Sequence, residues 1–226
     1  LKGRRCATTY AATVAKTESD VLLELDVGAI AGGGGCVARA PDGRIVFVRH
    51  AIPGERVRAR VTATNSSYLR ADAVQILLPS SDRVEPLCPH AGPGRCGGCD
   101  FQHVSLPAQR RLKAFRIAEQ LHHLAGVERP IEVEPVDGDS GGLAWRIRVR
   151  VAVGRDGRTG FHRHRSHRLE HVDTCPVASP AVLATNALTA TWPGATELEI
   201  VTGGEGEALV AVTARGRHVP RRLEAT

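Results

Sequence analysis

Ile45-Val46-Phe47-Val48-Arg49-His50-Ala51-Ile52-Pro53-Gly54-Glu55-Arg56-Val57-Arg58-Ala59-Arg60-Val61-Thr62-Ala63-Thr64 is the stretch that decides the first fold. Short apolar segments with a period of two flank an Ile-Pro-Gly-Glu turn, which is the pattern of strand, turn and strand. Working outward, Val21 to Val27 and Gly35 to Ala38 read as preceding strands and Leu69 to Leu78 as a following one, with Asp42-Gly43 as a hairpin turn. Five strands of this length suit a small OB-type barrel over residues 18–80, after an irregular segment at 1–17.

Beyond residue 80 the grammar changes, and residues 81–226 read as one α+β domain. Ser105 stands where a helix cap belongs, Pro107 lies in the first turn and Gly126 follows the last, which predicts one long helix over Leu106–Ala125. Leu112, Phe115, Ala118, Leu121 and Leu124 are spaced for one face of it. From Leu143 strands return, and an antiparallel sheet is expected. Asp156-Gly157 marks one hairpin turn, and Glu197 to Thr202 and Glu207 to Thr213 flank another at Gly203-Gly204-Glu205-Gly206. That glycine run precedes a strand rather than opening a helix, which excludes a dinucleotide-binding loop. The fold class is therefore mainly β with α.

Cysteine spacing carries the chemistry. Cys88, Cys96 and Cys99 form a C-x7-C-x2-C run through a Gly-Pro-Gly loop, and Cys175 stands apart downstream. In a chain of 226 residues with no export signal, a clustered set points to metal rather than disulfides. Four thiolates suit zinc or an iron-sulfur cluster, and His90 and His103 keep a mixed zinc site open. Cys36 reads as a small buried thiol and Cys6 as an exposed one near a loose end.

The net charge of +6 and a pI near 9.3 are compatible with a polyanionic partner. Distribution says more than the total. Arg146, Arg148 and Arg150 alternate with apolar residues, as if on one face of a single strand, and between Arg146 and His171 cationic residues far outnumber Asp156 and Glu170. Such a sheet could grip phosphates without reading sequence. No apolar run approaches the roughly 20 residues of a membrane-spanning helix, so a cytoplasmic protein without a membrane partner is expected, as a monomer. The chain contains no methionine and begins Leu1-Lys2-Gly3, which predicts a piece of a longer protein.

These residues resemble a known family, the S-adenosylmethionine-dependent RNA uridine-5-methyltransferases. Gly32 to Arg39 and Val46 to Glu55 look like that family's N-terminal TRAM barrel. Cys96-Gly97-Gly98-Cys99-Asp100-Phe101-Gln102-His103, the helix with Gln109 and Lys113, Trp145-Arg146-Ile147-Arg148 and Asp173-Thr174-Cys175-Pro176 look like its central domain. The resemblance implies that Cys88, Cys96, Cys99 and Cys175 hold a four-iron four-sulfur cluster, although the gap between Cys88 and Cys96 is two residues longer than in many members. It implies an RNA partner, ribosomal or transfer, for which the charge pattern offers Arg146, Arg148 and Arg150, and the barrel Arg49 and His50, as expected contacts. It also implies a catalytic cysteine, a glutamate base and an S-adenosylmethionine site in a further domain beyond residue 226; no catalytic residue is expected within this chain. A stand-alone RNA-binding protein with a structural metal site is the alternative, and a zinc-stabilised interaction protein a third.

Overall fold

The computed structural model describes residues 21–136, 141–204, 206–214 and 217–221, the last by backbone alone. The irregular segment at 1–17 and Cys6 lie outside the described residues. The first sheet holds β1 (Leu22–Asp26), β2 (Cys36–Arg39), β3 (Ile45–Arg49), β4 (Arg56–Thr64) and β5 (Tyr68–Leu78), in the order β1-β4-β5-β3-β2. All neighbours are antiparallel except β3 and β5. The chain after β1 meets β2 through Gly28 N–H to Val37 O (2.7 Å) and Val37 N–H to Ala29 O (2.8 Å), which joins the two edges into the expected five-stranded OB-like barrel. Alternation places Val46, Val48, Val57, Ala59 and Val61 inside, each almost fully buried. Cys36 is buried with them, its thiol pointed at Ala51 O (3.4 Å), and burial pushes its pKa up to about 12.

Helix α1 (Leu106–Ala125) runs over the expected residues and ends at Gly126, whose left-handed backbone turns its N–H to His122 O at 2.9 Å. Ser105 occupies the cap position, yet its side chain makes no capping bond. The expected apolar face is covered only at its start. Ala108 is buried and Leu112 packs on the barrel core, whereas Phe115 is half exposed and Leu124 is 80% exposed. Further along the helix Ile117 is also exposed.

A second, wholly antiparallel sheet contains β6 (Arg148–Val153), β7 (Thr159–His162), β8 (Leu169–His171), β9 (Glu197–Thr202), β10 (Ala208–Ala214) and β11 (Arg217–Arg221), in the order β11-β10-β9-β6-β7-β8. Both expected hairpins are present. Its inner face, Val149, Val151, Leu198, Ile200, Val210 and Val212, packs on Val177, Leu188 and the short helix α2 (Pro180–Ala184) around Val182. Among the described residues no helix is long and apolar enough to cross a membrane.

Barrel and second unit are bolted together by charged groups. Glu55 is 1% exposed and accepts from Ile52 N–H (2.9 Å), Ser80 N–H (3.1 Å) and Arg83 Nε and Nη2 (both 2.7 Å). Arg83 also donates to His50 O at 2.9 Å. Asp100, next to Cys99, accepts from Arg49 Nη2 at 2.6 Å. The barrel loop can come this close because Gly34 has no side chain: a Cβ there would lie 2.5 Å from the Asp100 Cβ, and its φ of +77° favours glycine.

Candidate metal centre and nucleic-acid interface

Cys88, Cys96, Cys99 and Cys175 line one cavity, together with His90, Gln102 and Arg146. The Cys88–Cys99 loop and the Cys175 turn deliver them. The loop from Cys88 is shaped by Ala91 N–H to Cys88 O (3.0 Å) and Cys96 N–H to His90 O (3.1 Å). Cys96 and Gly97 lie against the β7 end, with Gly97 N–H bonded to His162 O at 3.1 Å and Cys96 bridged to Arg163. Cys175 sits in the turn before α2, fixed by Ala178 N–H to Cys175 O at 2.9 Å. All five described cysteines are free thiols.

Electrostatics describe the same convergence. Burial pushes the Cys96 thiol up to about 11, and the neighbouring Cys99, Cys88 and Cys175 add to the rise, against the Gly98 N–H that points at Cys96 Sγ (3.4 Å). Burial likewise raises Cys175, opposed by the N–H groups of Val177 and Ala178 and by the Arg146 guanidinium. The amide N–H groups and the Arg146 guanidinium close to the sulfurs offset part of the cost of burying thiolate charge there. The cavity has a volume of about 30 Å³. Among the described residues no three His, Cys, Asp or Glu groups draw together as the ligands of a single ion.

The histidines divide. His90 lines the cavity, its Nδ1 3.4 Å from Glu170 Oε1. His103 does not; it is buried by the barrel with Nε2 3.4 Å from Ala51 O.

The expected cationic contacts also separate. Arg148 and Arg150 are exposed on the outer face of β6, where Glu199 and Glu197 of β9 pair with them: Arg148 Nη2 to Glu199 Oε1 at 2.6 Å and Arg150 Nε to Glu197 Oε1 at 3.4 Å. Arg146 does not share their face. It precedes β6 and runs beside Ala178 in a parallel bridge, so its half-buried side chain reaches the cysteine cavity while Trp145 and Ile147 are exposed. Arg49 and His50 are not at the surface either; each is 8% exposed. The Arg49 guanidinium is taken up by Asp100. His50 has its pKa lowered to about 3 by burial and by the charges of Arg49 and His103, so it is neutral near pH 7 and supplies no cation for phosphate.

A groove of about 950 Å³ adjoins the cysteine cavity and shares Cys99, Gln102 and Arg146 with it. Trp145 stands on its rim, 58% exposed, with its indole N–H donating to Gly142 O at 3.1 Å and the Arg146 guanidinium 5.2 Å from the ring centre. Sequence alternation set Trp145 among the apolar residues between the arginines; its signal as a surface group was only the adjacent arginine.

The barrel matches the TRAM domain over residues 23–74. Relatives extend the match along the chain. An uncharacterized RNA methyltransferase of Streptomyces coelicolor is 46% identical over 211 residues, 87% of this chain and 46% of the relative. The 23S rRNA (uracil(1939)-C(5))-methyltransferase RlmD of Halomonas elongata is 40% identical over 161 residues, 70% of this chain and 33% of the relative. Among solved structures, the Pyrococcus abyssi tRNA (uracil-54, C5)-methyltransferase in complex with S-adenosyl-L-homocysteine shares the fold, with a TM-score of 0.52 over 88% of this chain and 47% of that one, at 19% identity. The chain carries a TRAM domain and is similar over most of its length to RNA methyltransferases, uracil-C5 enzymes among them. It spans about half the length of the Streptomyces relative.

Proposed function

We propose that this chain is the RNA-handling and cluster-bearing portion of a cytoplasmic RNA uracil-5-methyltransferase acting on ribosomal or transfer RNA, with a barrel at 18–80 and a central domain at 81–226. Cys88, Cys96, Cys99 and Cys175 hold a four-iron four-sulfur cluster in this reading. The observation that carries it is the meeting of these four cysteines, from the Cys88–Cys99 loop and the distant Cys175 turn, in one cavity. The Gly98 N–H aimed at Cys96 Sγ is the kind of amide donor that supports a cluster thiolate. The cluster would tie the Cys88–Cys99 loop to the Cys175 turn, a structural function. S-adenosylmethionine as methyl donor is proposed for the whole protein from its relatives' chemistry; no described residue here is assigned to it.

The TRAM barrel and the outer face of β6 supply the RNA reading. Exposed ion pairs contribute only about 0–1 kcal/mol, so phosphate can displace Glu199 and Glu197 from Arg148 and Arg150. Retention of labelled RNA across a salt series tests this. Affinity is expected to fall steeply with salt, and Arg148→Gln with Arg150→Gln to reduce the log–log slope by about 0.7 for each phosphate that is no longer neutralised. Glu199→Gln, which releases Arg148 and leaves Arg150 only Glu197, is expected to tighten binding at low salt. Salt-insensitive or absent retention would overturn the RNA reading.

A further inference from the structure

We propose that the groove beside the cysteine cavity holds an unpaired stretch of RNA, with one base stacked on the Trp145 indole. The inference rests on the RNA-binding reading above and names the form of RNA and the residue that receives it.

Trp145 is a built platform rather than a loose surface aromatic. Its N–H is held by Gly142 O at 3.1 Å, and Arg146 lies 5.2 Å from the ring centre. The ring is therefore oriented by its edge and backed by a cation, while 58% of the residue stays open to solvent. An exposed aromatic with cations along a groove is how proteins hold single strands, because every base offers a π-face. Lys113 of α1 lines the same groove as Arg146. Of the acids there, Asp100 is already neutralised by Arg49 at 2.6 Å, leaving Glu85 and Glu134.

Shape favours the same occupant. At about 950 Å³ the groove is a concave site on the scale of nucleotide-sized ligands, not the broad flat surface that a folded protein partner needs. A base inside an A-form duplex cannot present its face to an indole, so the occupant must be unpaired. The shared wall at Cys99 and Arg146 places this RNA next to the group that the cysteines would hold.

The test compares the full chain, Trp145→Phe and Trp145→Ala against a uridine-rich single strand of about twelve nucleotides and a blunt duplex. Trp145→Ala is expected to weaken the single strand roughly 5- to 100-fold, Trp145→Phe far less, and neither to alter duplex affinity or the salt slope. Indole fluorescence is expected to be quenched by the single strand and the quenching abolished in Trp145→Phe, since the other tryptophan, Trp192, is tied to Ala187 O within the second core. Unchanged single-strand affinity in Trp145→Ala, with salt-sensitive RNA binding intact, would overturn the stacking site alone and point to a protein occupant. Loss of salt-sensitive binding from the parent chain would overturn the RNA reading itself.

Discussion

Glu55→Ala is expected to cost the fold roughly 3–5 kcal/mol, the usual result of removing one partner of a buried ion pair. Glu55 is 1% exposed, and its two carboxylate oxygens take four hydrogen bonds, from Ile52, Ser80 and both arms of Arg83. Truncation leaves those donors and the mostly buried Arg83 guanidinium without a counter-charge at the joint between barrel and second unit. The same group sets part of the acid sensitivity. Burial pushes its carboxyl up, but the bonds from Arg83, Ser80 and Ile52 outweigh it and hold the folded pKa below the ordinary value. A depressed carboxyl stabilises the fold above its unfolded pKa, and that contribution disappears as pH falls through the folded pKa. Urea midpoints at about pH 7 and about pH 3 check both points. Glu55→Gln should flatten part of the difference between them; a loss below about 1 kcal/mol in Glu55→Ala would contradict the assignment of Glu55 as a buried hub.

Gly97→Ala is expected to destabilise by about 1–3 kcal/mol, while Gly98→Ala next to it is tolerated. A Cβ on Gly97 would lie 2.8 Å from His164 N and 2.9 Å from His164 Cα, backbone atoms that cannot swing aside. On Gly98 the nearest neighbour is Cys96 Sγ at 3.4 Å, close to an ordinary contact. The clash is relieved only if the Cys96–Cys99 loop lifts away from the β7 end, which also moves two of the four thiols. Melting temperatures are expected to fall roughly 2–12 °C for Gly97→Ala and to change little for Gly98→Ala. Equal behaviour of the two variants would contradict the packing of this loop on His162–His164.

Much of the barrel was legible because strand alternation and burial coincide there: Val46, Val48, Val57, Ala59 and Val61 alternate in sequence and all face inward. The helix was legible for a local reason, since Pro107 and Gly126 mark its ends by their own conformational preferences. What failed depends on contacts across the chain. Period-two alternation through Trp145, Arg146 and Ile147 cannot reveal that the chain there runs beside Ala178 instead of continuing β6. The arginine-rich stretch showed Arg148 and Arg150 but not Glu197 and Glu199, which β9 brings to the same face. Arg49 looked like a surface cation because its partner, Asp100, lies 51 positions away. Gly32 to Gly35 were legible as part of a barrel-like stretch, but the need for Gly34 came from Asp100 pressing on it. Of the candidate site, spacing gathered Cys88, Cys96 and Cys99, with Cys175 read as a remote fourth thiolate, and the fold brings it to the same cavity.

The central claim concerns what those four cysteines hold. Anaerobic purification followed by iron, sulfide and zinc determination, with a visible absorption spectrum, tests it most directly when the chain is compared with Cys175→Ala. About four irons and four sulfides per chain, absent from the variant, are the predicted result. One zinc without sulfide, or metal content indifferent to Cys175→Ala, would contradict it.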